Sequence, residues 1–209
     1  MYDEEYFRTL YGEAPRQTRF DRARDDRVVR IVRRHAPPRT EASSLLDIGC
    51  GYGYLLRRFR GAYRLAGIDV SVHAAGVARV ALPGAVVVTA DVQRPLPFRH
   101  PFDVVLAVNV IEHLPDPTAG ARSIRDAVVP GGLCVIHLPT INGPVSRAIY
   151  RLAYAGDPTH VYRPSGNETQ RLFEDVGFEA VEASYAPHWP WLGSRFGWHP
   201  AYLAAFRRR

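Results

Sequence analysis

LLDIGCGYGYLL, residues 45 to 56, sets three glycines into five positions directly behind an apolar run. The run reads as a short buried strand, Ser44 to Ile48, and Tyr54 to Phe59 reads as the start of a helix. Gly49, Gly51 and Gly53 therefore fall in a strand-to-helix loop. Residues without a Cβ let another group approach the backbone and tolerate positive φ. A tight turn satisfies that requirement, and so does a phosphate or a nucleoside cofactor.

The rest of the chain repeats the pattern. Residues 17 to 35 carry Phe20, Ala23, Val28, Ile31 and Val32 among charges, a narrow apolar stripe on a helix that Pro37 and Pro38 stop. Strands are predicted at Leu65 to Ile68, Val86 to Thr89, Val104 to Val108, Leu133 to Leu138 and Phe178 to Ser184. Helices fall between them, at Ala74 to Val80, Thr118 to Val128 and Ser165 to Val176, with Pro130-Gly131-Gly132 as a turn. Alternation of this kind predicts an α/β domain, a mainly parallel sheet with helices on both faces. The chain is too short for an eight-fold barrel, so an open doubly wound sheet is expected.

The glycine loop lies at the carboxyl end of the first strand, where open α/β sheets bind ligands. Asp69 closes the second strand in GIDV, twenty residues after Gly49. An acidic residue there accepts hydrogen bonds from ribose hydroxyls in dinucleotide-binding folds. Asp91 follows the third strand in ADV, and FDVV leads through Asn109 to Glu112-His113-Leu114.

With these motifs in order, residues 43 to 184 resemble the class I S-adenosylmethionine-dependent methyltransferases, and among them the small-molecule enzymes. LLDIGCGYG, GIDVS, ADV, FDVVLAVNVIEHL and PGGLCVIHLPT carry the resemblance. It implies a single Rossmann-like domain with seven strands, the last antiparallel, for which Ala201 to Arg207 is the candidate; a terminal helical turn is the alternative. Within residues 1–209 it implies an N-terminal helical cap (1–42), a cofactor-binding core (43–140), a substrate-side insertion (141–164) and a C-terminal helix with strands (165–209). S-adenosyl-L-methionine would be the cofactor and S-adenosyl-L-homocysteine the product. Asp47, Gly49, Cys50, Gly51 and Gly53 would shape the pocket for its methionine part. Asp69, with Val70 beside it, would hold the ribose; Asp91 and Val92 would hold the adenine; Asn109 and Val110 would border the methyl donor. A nicotinamide dehydrogenase also uses a glycine loop, but the EHL and PGG segments do not belong to that family.

Methyl transfer from a sulfonium needs alignment, exclusion of water and, for some acceptors, removal of a proton. His113 and His160 are the candidate catalytic residues, His160 within an Asp157-x-x-His160 stretch. Candidate substrate contacts are Tyr11, Arg147, Tyr150, Trp189 and Trp191. His113, Asp157 and His160 have ligating chemistry, but without an HExxH or a carboxylate-rich run no metal is expected.

Composition narrows the function classes. All 27 basic residues are arginine, so lysine Schiff-base chemistry is excluded. Two cysteines, Cys50 and Cys134, make no disulfide framework. No apolar run suits a membrane span and the N-terminus has no leader pattern, so a cytoplasmic protein, monomer or homodimer, is expected. The net charge of +6 raises a nucleic-acid methyltransferase as an alternative. Against it, NVIE (Asn109 to Glu112) lacks the Pro-Pro-aromatic pattern of base-amino methyltransferases. A cofactor-binding protein without turnover is the second alternative, and peripheral membrane contact through the Trp-rich 187–199 segment and the arginine tail the third. The expected partner is a small-molecule acceptor, with O-methylation favoured and no nucleic acid.

Overall fold

The computed structural model describes residues 17–39, 42–154, 157–185 and 199–209. Helix α1 (Arg19–His35) precedes β1 (Ser44–Ile48), β2 (Arg64–Asp69), α2 (Val72–Ala81), β3 (Val86–Thr89) and β4 (Phe102–Val108). Then follow α3 (Pro117–Ala127), β5 (Val128–Leu138), α4 (Pro144–Tyr154), α5 (Gly166–Asp175), β6 (Phe178–Ser184) and β7 (Tyr202–Arg208). The seven strands form one sheet in the order β3-β2-β1-β4-β5-β7-β6. β7 runs antiparallel between β5 and β6, and the other pairings are parallel. The chain works outward from β1 to β3, then returns to β4 on the other side of β1. That reversal is the topological switch point, the crevice where open α/β sheets bind ligands.

Strand periodicity divides the core into two layers. Leu45, Val104, Leu106, Leu133, Val135, Leu203 and Ala205 face α1, against Val28, Ile31 and Val32. Leu46, Val105, Ala107, Cys134, Ile136, Ala204 and Phe206 face the other way, against Ile124 of α3 and Phe173 of α5. Phe173 stacks on Phe206 at 5.0 Å. Because both faces are covered, apolar residues run consecutively along these strands, with Asp47 and His137 near the carboxyl ends of β1 and β5. The terminal AYLAAFR is thus a strand and not a helical turn: Tyr202 to Phe206 are all buried in the sheet.

Caps set the helix starts. Thr18 accepts from the Asp21 amide at 3.1 Å while Asp21 accepts from the Thr18 amide at 3.0 Å. Ser165 and Glu168 form the same reciprocal box on α5, and Ser71 and Asp116 cap α2 and α3.

Three local expectations need correction. The helix expected over Tyr54 to Phe59 is a single 3₁₀ turn, Leu56–Phe59. Pro130-Gly131-Gly132 lies within β5, and α3 stops at Ala127, because fully buried Val128 already pairs with Phe102. The segment 141–164 contains a helix, α4, which its sequence did not announce. Among the described residues no helix is long and apolar enough to cross a membrane.

Helix α1 is clipped to β6 by charge. Glu182 pairs with Arg27 at 3.2 Å, Arg34 at 3.0 Å and His35 at 2.9 Å. Burial raises the Glu182 carboxyl, but the hydrogen bond from His35 and the charges of Arg34 and Arg27 outweigh it and hold the group below its ordinary value. A lowered folded-state value stabilises the fold above the unfolded value and is lost as pH falls through the folded one. Glu182→Gln is expected to lower the melting temperature modestly at neutral pH and to have less effect as pH falls through the lowered value of the Glu182 carboxyl. Thermal melts of both proteins across that range check this.

Candidate cofactor-binding site

The glycine loop is built around Asp69. Its carboxylate accepts from the Gly51 amide at 2.8 Å and from the Ser71 amide at 2.9 Å, tying the loop after β1 to the turn after β2. Gly49 and Gly51 both adopt positive φ, +68° and +51°. A Cβ on Gly49 would stand 2.5 Å from Val110 Cγ2, so this glycine also admits the segment after β4. A Cβ on Gly51 would meet nothing within 4 Å; its requirement is backbone conformation alone.

Over the carboxyl ends of β1 to β4 lies a cavity of about 530 Å³, within the range of small-ligand sites. Asp47, Gly49, Cys50, Gly51, Asp69, Val70, Asp91, Val92, Asn109 and Val110, the candidate cofactor residues, all line it. Gly53 does not: its Cβ would lie 2.6 Å from Leu82 Cδ1, so its role is packing of the loop on α2. Asn109 holds φ at +55°. Its amide donates to the His137 carbonyl at 2.8 Å, and its Oδ1 lies 2.6 Å from His137 Nδ1, which fixes it at the cavity edge.

The cavity is acidic on one side. Asp25, Asp47 and Asp69 are all buried. Burial pushes the Asp47 carboxyl well up, and the neighbouring charges of Asp25 and Asp69 add to this against the lowering effect of Arg24. Burial also raises Asp69, against the amides of Ser71 and Gly51 that favour its charged form. Arg24 pairs with Asp25 at 2.9 Å and with Asp21 at 3.1 Å.

Sequence reasoning missed this wall. Gln17, Asp21, Arg24 and Asp25 line the cavity, although the helix over residues 17 to 35 reads as a narrow apolar stripe among charges. The signal was in the spacing: Asp25, Val28, Val29 and Val32 stand at i, i+3, i+4 and i+7, which puts Asp25 on the buried stripe. Gln17 covers it with a 2.5 Å hydrogen bond.

Opposite the glycine loop the wall is His113, Pro158, Thr159 and Val161. His113 Nδ1 lies 3.2 Å from the Thr159 carbonyl and 2.9 Å from its hydroxyl. Burial lowers the His113 imidazole. His160, the other catalytic candidate, does not line the cavity; it is buried behind His113, ring centroids 4.8 Å apart, with Nδ1 2.8 Å from the Tyr150 hydroxyl. Burial, reinforced by His113, pushes the His160 imidazole down to about 4 although Asp157 opposes it. Tyr150 is accordingly a buried partner of His160 and not a cavity residue, and Arg147 is exposed on α4 away from the cavity. Tyr11, Trp189 and Trp191 lie outside the described residues.

A short 3₁₀ turn, Ile111–His113, brings Glu112 beneath this wall. Its side chain is fully buried, and apart from its own backbone amide no group among the described residues hydrogen-bonds its carboxylate. Burial pushes it up to about 8. Ligand atoms of Glu112, His113 and His160 all lie within 4.8 Å of one another.

Comparison with known proteins agrees with this architecture. Residues 20–183 match the methyltransferase domain family. A ubiquinone biosynthesis O-methyltransferase of Neisseria meningitidis serogroup C is 30% identical over 157 residues, 66% of this chain and 64% of that protein. The chain thus spans less than two thirds of that relative's length. Among solved structures, the N-methyltransferase NodS of Bradyrhizobium japonicum with S-adenosyl-L-homocysteine superposes with a TM-score of 0.73 at 18% identity, covering 98% of this chain and 97% of that one. Magnesium protoporphyrin IX methyltransferase of Synechocystis, also with bound S-adenosylhomocysteine, gives 0.69 at 15%, covering 98% and 94%. A glycine loop clamped by Asp69, an acid-lined cavity at the switch point, the sheet order and the family match converge: the chain belongs to the methyltransferase domain family.

Proposed function

We propose that the protein transfers the methyl group of S-adenosylmethionine to a small-molecule acceptor, at oxygen, within a biosynthetic pathway. The observation that carries the cofactor assignment is the set of buried carboxylates at the switch-point cavity, Asp47 and Asp69 with Asp25 behind them. Buried acids crowded this way are costly when charged. A ligand bearing a sulfonium and an ammonium group offsets that cost, and a neutral nucleoside does not. The size of the cavity fits such a ligand.

S-adenosylmethionine, when bound, supplies a methyl group already activated by the positive sulfur. On this reading Asp69 accepts from both ribose hydroxyls, and Asp91 and Val92 border the adenine. Asp47 takes the ammonium group, and Arg24 stands ready for the carboxylate. Asn109 and Val110 bound the donor, and His113 with Thr159 forms the acceptor side. The buried apolar side chains of Val110 and Leu114 on that side support a desolvated acceptor. The names of the curated relatives favour oxygen as the methylated atom. Mass spectrometry of products from a panel of phenolic, carboxylic and amine acceptors, with RNA beside them and an isotopically labelled methyl donor, tests the assignment. A preference for amines or for RNA would overturn it.

The electrostatics also predict a pH dependence. Asp47 carries a raised value, so it holds a proton over part of the range above 3.8, and binding a cation favours its charged form. Affinity for S-adenosylmethionine should fall as pH drops through the raised value, before ordinary carboxylates titrate. Binding in that window should release a proton, read as a dependence of calorimetric heat on the buffer's ionisation enthalpy. Asp47→Asn should reduce that dependence, leaving the smaller share that Asp69 contributes.

A further inference from the structure

We propose that Glu112, His113 and His160 form a binding site for one divalent transition-metal ion, with Asp157 as a charge-balancing partner. The three come from separate segments, Glu112 and His113 from the turn after β4 and His160 from the segment after α4, yet one ligand atom of each converges within 4.8 Å. Two histidines and one carboxylate are a set that zinc and other first-row dications accept.

The independent observation is Glu112. Its carboxylate is fully buried, and apart from its own backbone amide no group among the described residues hydrogen-bonds it. Buried polar groups are normally satisfied, and a bare buried carboxylate is costly. The histidines next to it offer ring nitrogens, and a dication satisfies all three at once. The surrounding bonds suit ligating imidazoles, whose other nitrogen is ordinarily fixed by a neighbouring group. His160 Nδ1 meets the Tyr150 hydroxyl at 2.8 Å, leaving Nε2 on the side of Asp157 Oδ2, 3.5 Å away. Asp157 is itself oriented by the Thr159 amide at 2.9 Å. Two carboxylates against one dication leave the cluster neutral.

An HExxH run places its ligands close in sequence; here the fold supplies the proximity. Because His113 lines the cavity, an ion held there stands at the acceptor wall, where it can take an acceptor oxygen as a further ligand. That last role rests on the methyltransferase reading, whereas metal binding does not.

The test uses the untagged chain, stripped with a chelator and titrated with Co²⁺ in the absence of S-adenosylmethionine. Visible ligand-field absorption and elemental analysis are the readouts, followed by displacement with Zn²⁺. One equivalent per chain is expected, with affinity at least about tenfold weaker in Glu112→Gln and in His160→Asn. Thermal melts establish that each variant is folded; should one fail, the wild-type stoichiometry and the other variant still decide. A folded wild type that takes up no stoichiometric Co²⁺ or Zn²⁺ overturns the proposal, as does undiminished affinity in the folded variants. Cofactor titration of the same samples is read separately, so loss of S-adenosylmethionine binding with intact metal binding would count against the proposed function and not against this site.

Discussion

Asp69→Ala is expected to weaken S-adenosylmethionine binding at least about 100-fold, a loss of about 3 kcal/mol. Two effects add. The first is direct: a carboxylate accepting two ribose hydroxyls makes charge-assisted bonds, each stronger than a neutral one. The second acts through the loop, since the same carboxylate holds the Gly51 amide at 2.8 Å and the Ser71 amide at 2.9 Å. Without it the glycine loop loses its tie to β2. Asp69→Asn separates the two, because the amide oxygen can still accept one backbone bond; it should retain more affinity than alanine. Equilibrium dialysis with labelled S-adenosylhomocysteine measures both variants. Affinity within threefold of wild type in the alanine variant would remove Asp69 from the ribose site.

Gly49→Ala is expected to destabilise the fold by about 2–5 kcal/mol, a fall of roughly 5–15 °C in melting temperature. A side chain there must hold φ near +68° and push on Val110 Cγ2 at 2.5 Å. Val110 is β-branched and buried, so it has little freedom to turn away. Gly51→Ala carries only the backbone strain at φ +51°, with open space around the new methyl group. It should therefore cost clearly less than Gly49→Ala. In Gly49→Ala/Val110→Ala the clash is relieved and the strain is not, so part of the loss should return. Thermal melts of the four proteins check this ordering. Equal losses at Gly49 and Gly51 would show that the close approach of Val110 has no energetic weight.

The sequence made the sheet legible because its strands are buried on both faces. LLDI, VVLAV and LCVIHL are largely apolar without alternation, broken only by Asp47 and His137 near strand ends, which marks them as central and parallel. The cofactor side was legible for a related reason. Asp47, Asp69 and Asp91 each stand at or just beyond the carboxyl end of a strand, so locating the strand locates the acid. The acceptor side was harder to read, because its geometry depends on two segments far apart in sequence meeting beyond β4. His113 reaches the cavity and His160, equally plausible by residue type, is turned toward Tyr150. The α1 wall was hidden by composition. Arg24 and Asp25 look like surface charges until the rotation of the helix, fixed by Val28, Ile31 and Val32, is taken into account. Glu112 shows the same limit: nothing in EHL distinguishes a solvated glutamate from one sealed beneath the cavity wall.

The most direct test of the central claim is calorimetric titration of the wild-type protein with S-adenosylmethionine and with S-adenosylhomocysteine. The account predicts one site per chain with a dissociation constant of about micromolar, near −8 kcal/mol. The methionine form should gain from its sulfonium charge over an acidic cavity wall. Absence of binding heat and of thermal stabilisation for either ligand, in a protein shown to be folded, would contradict it.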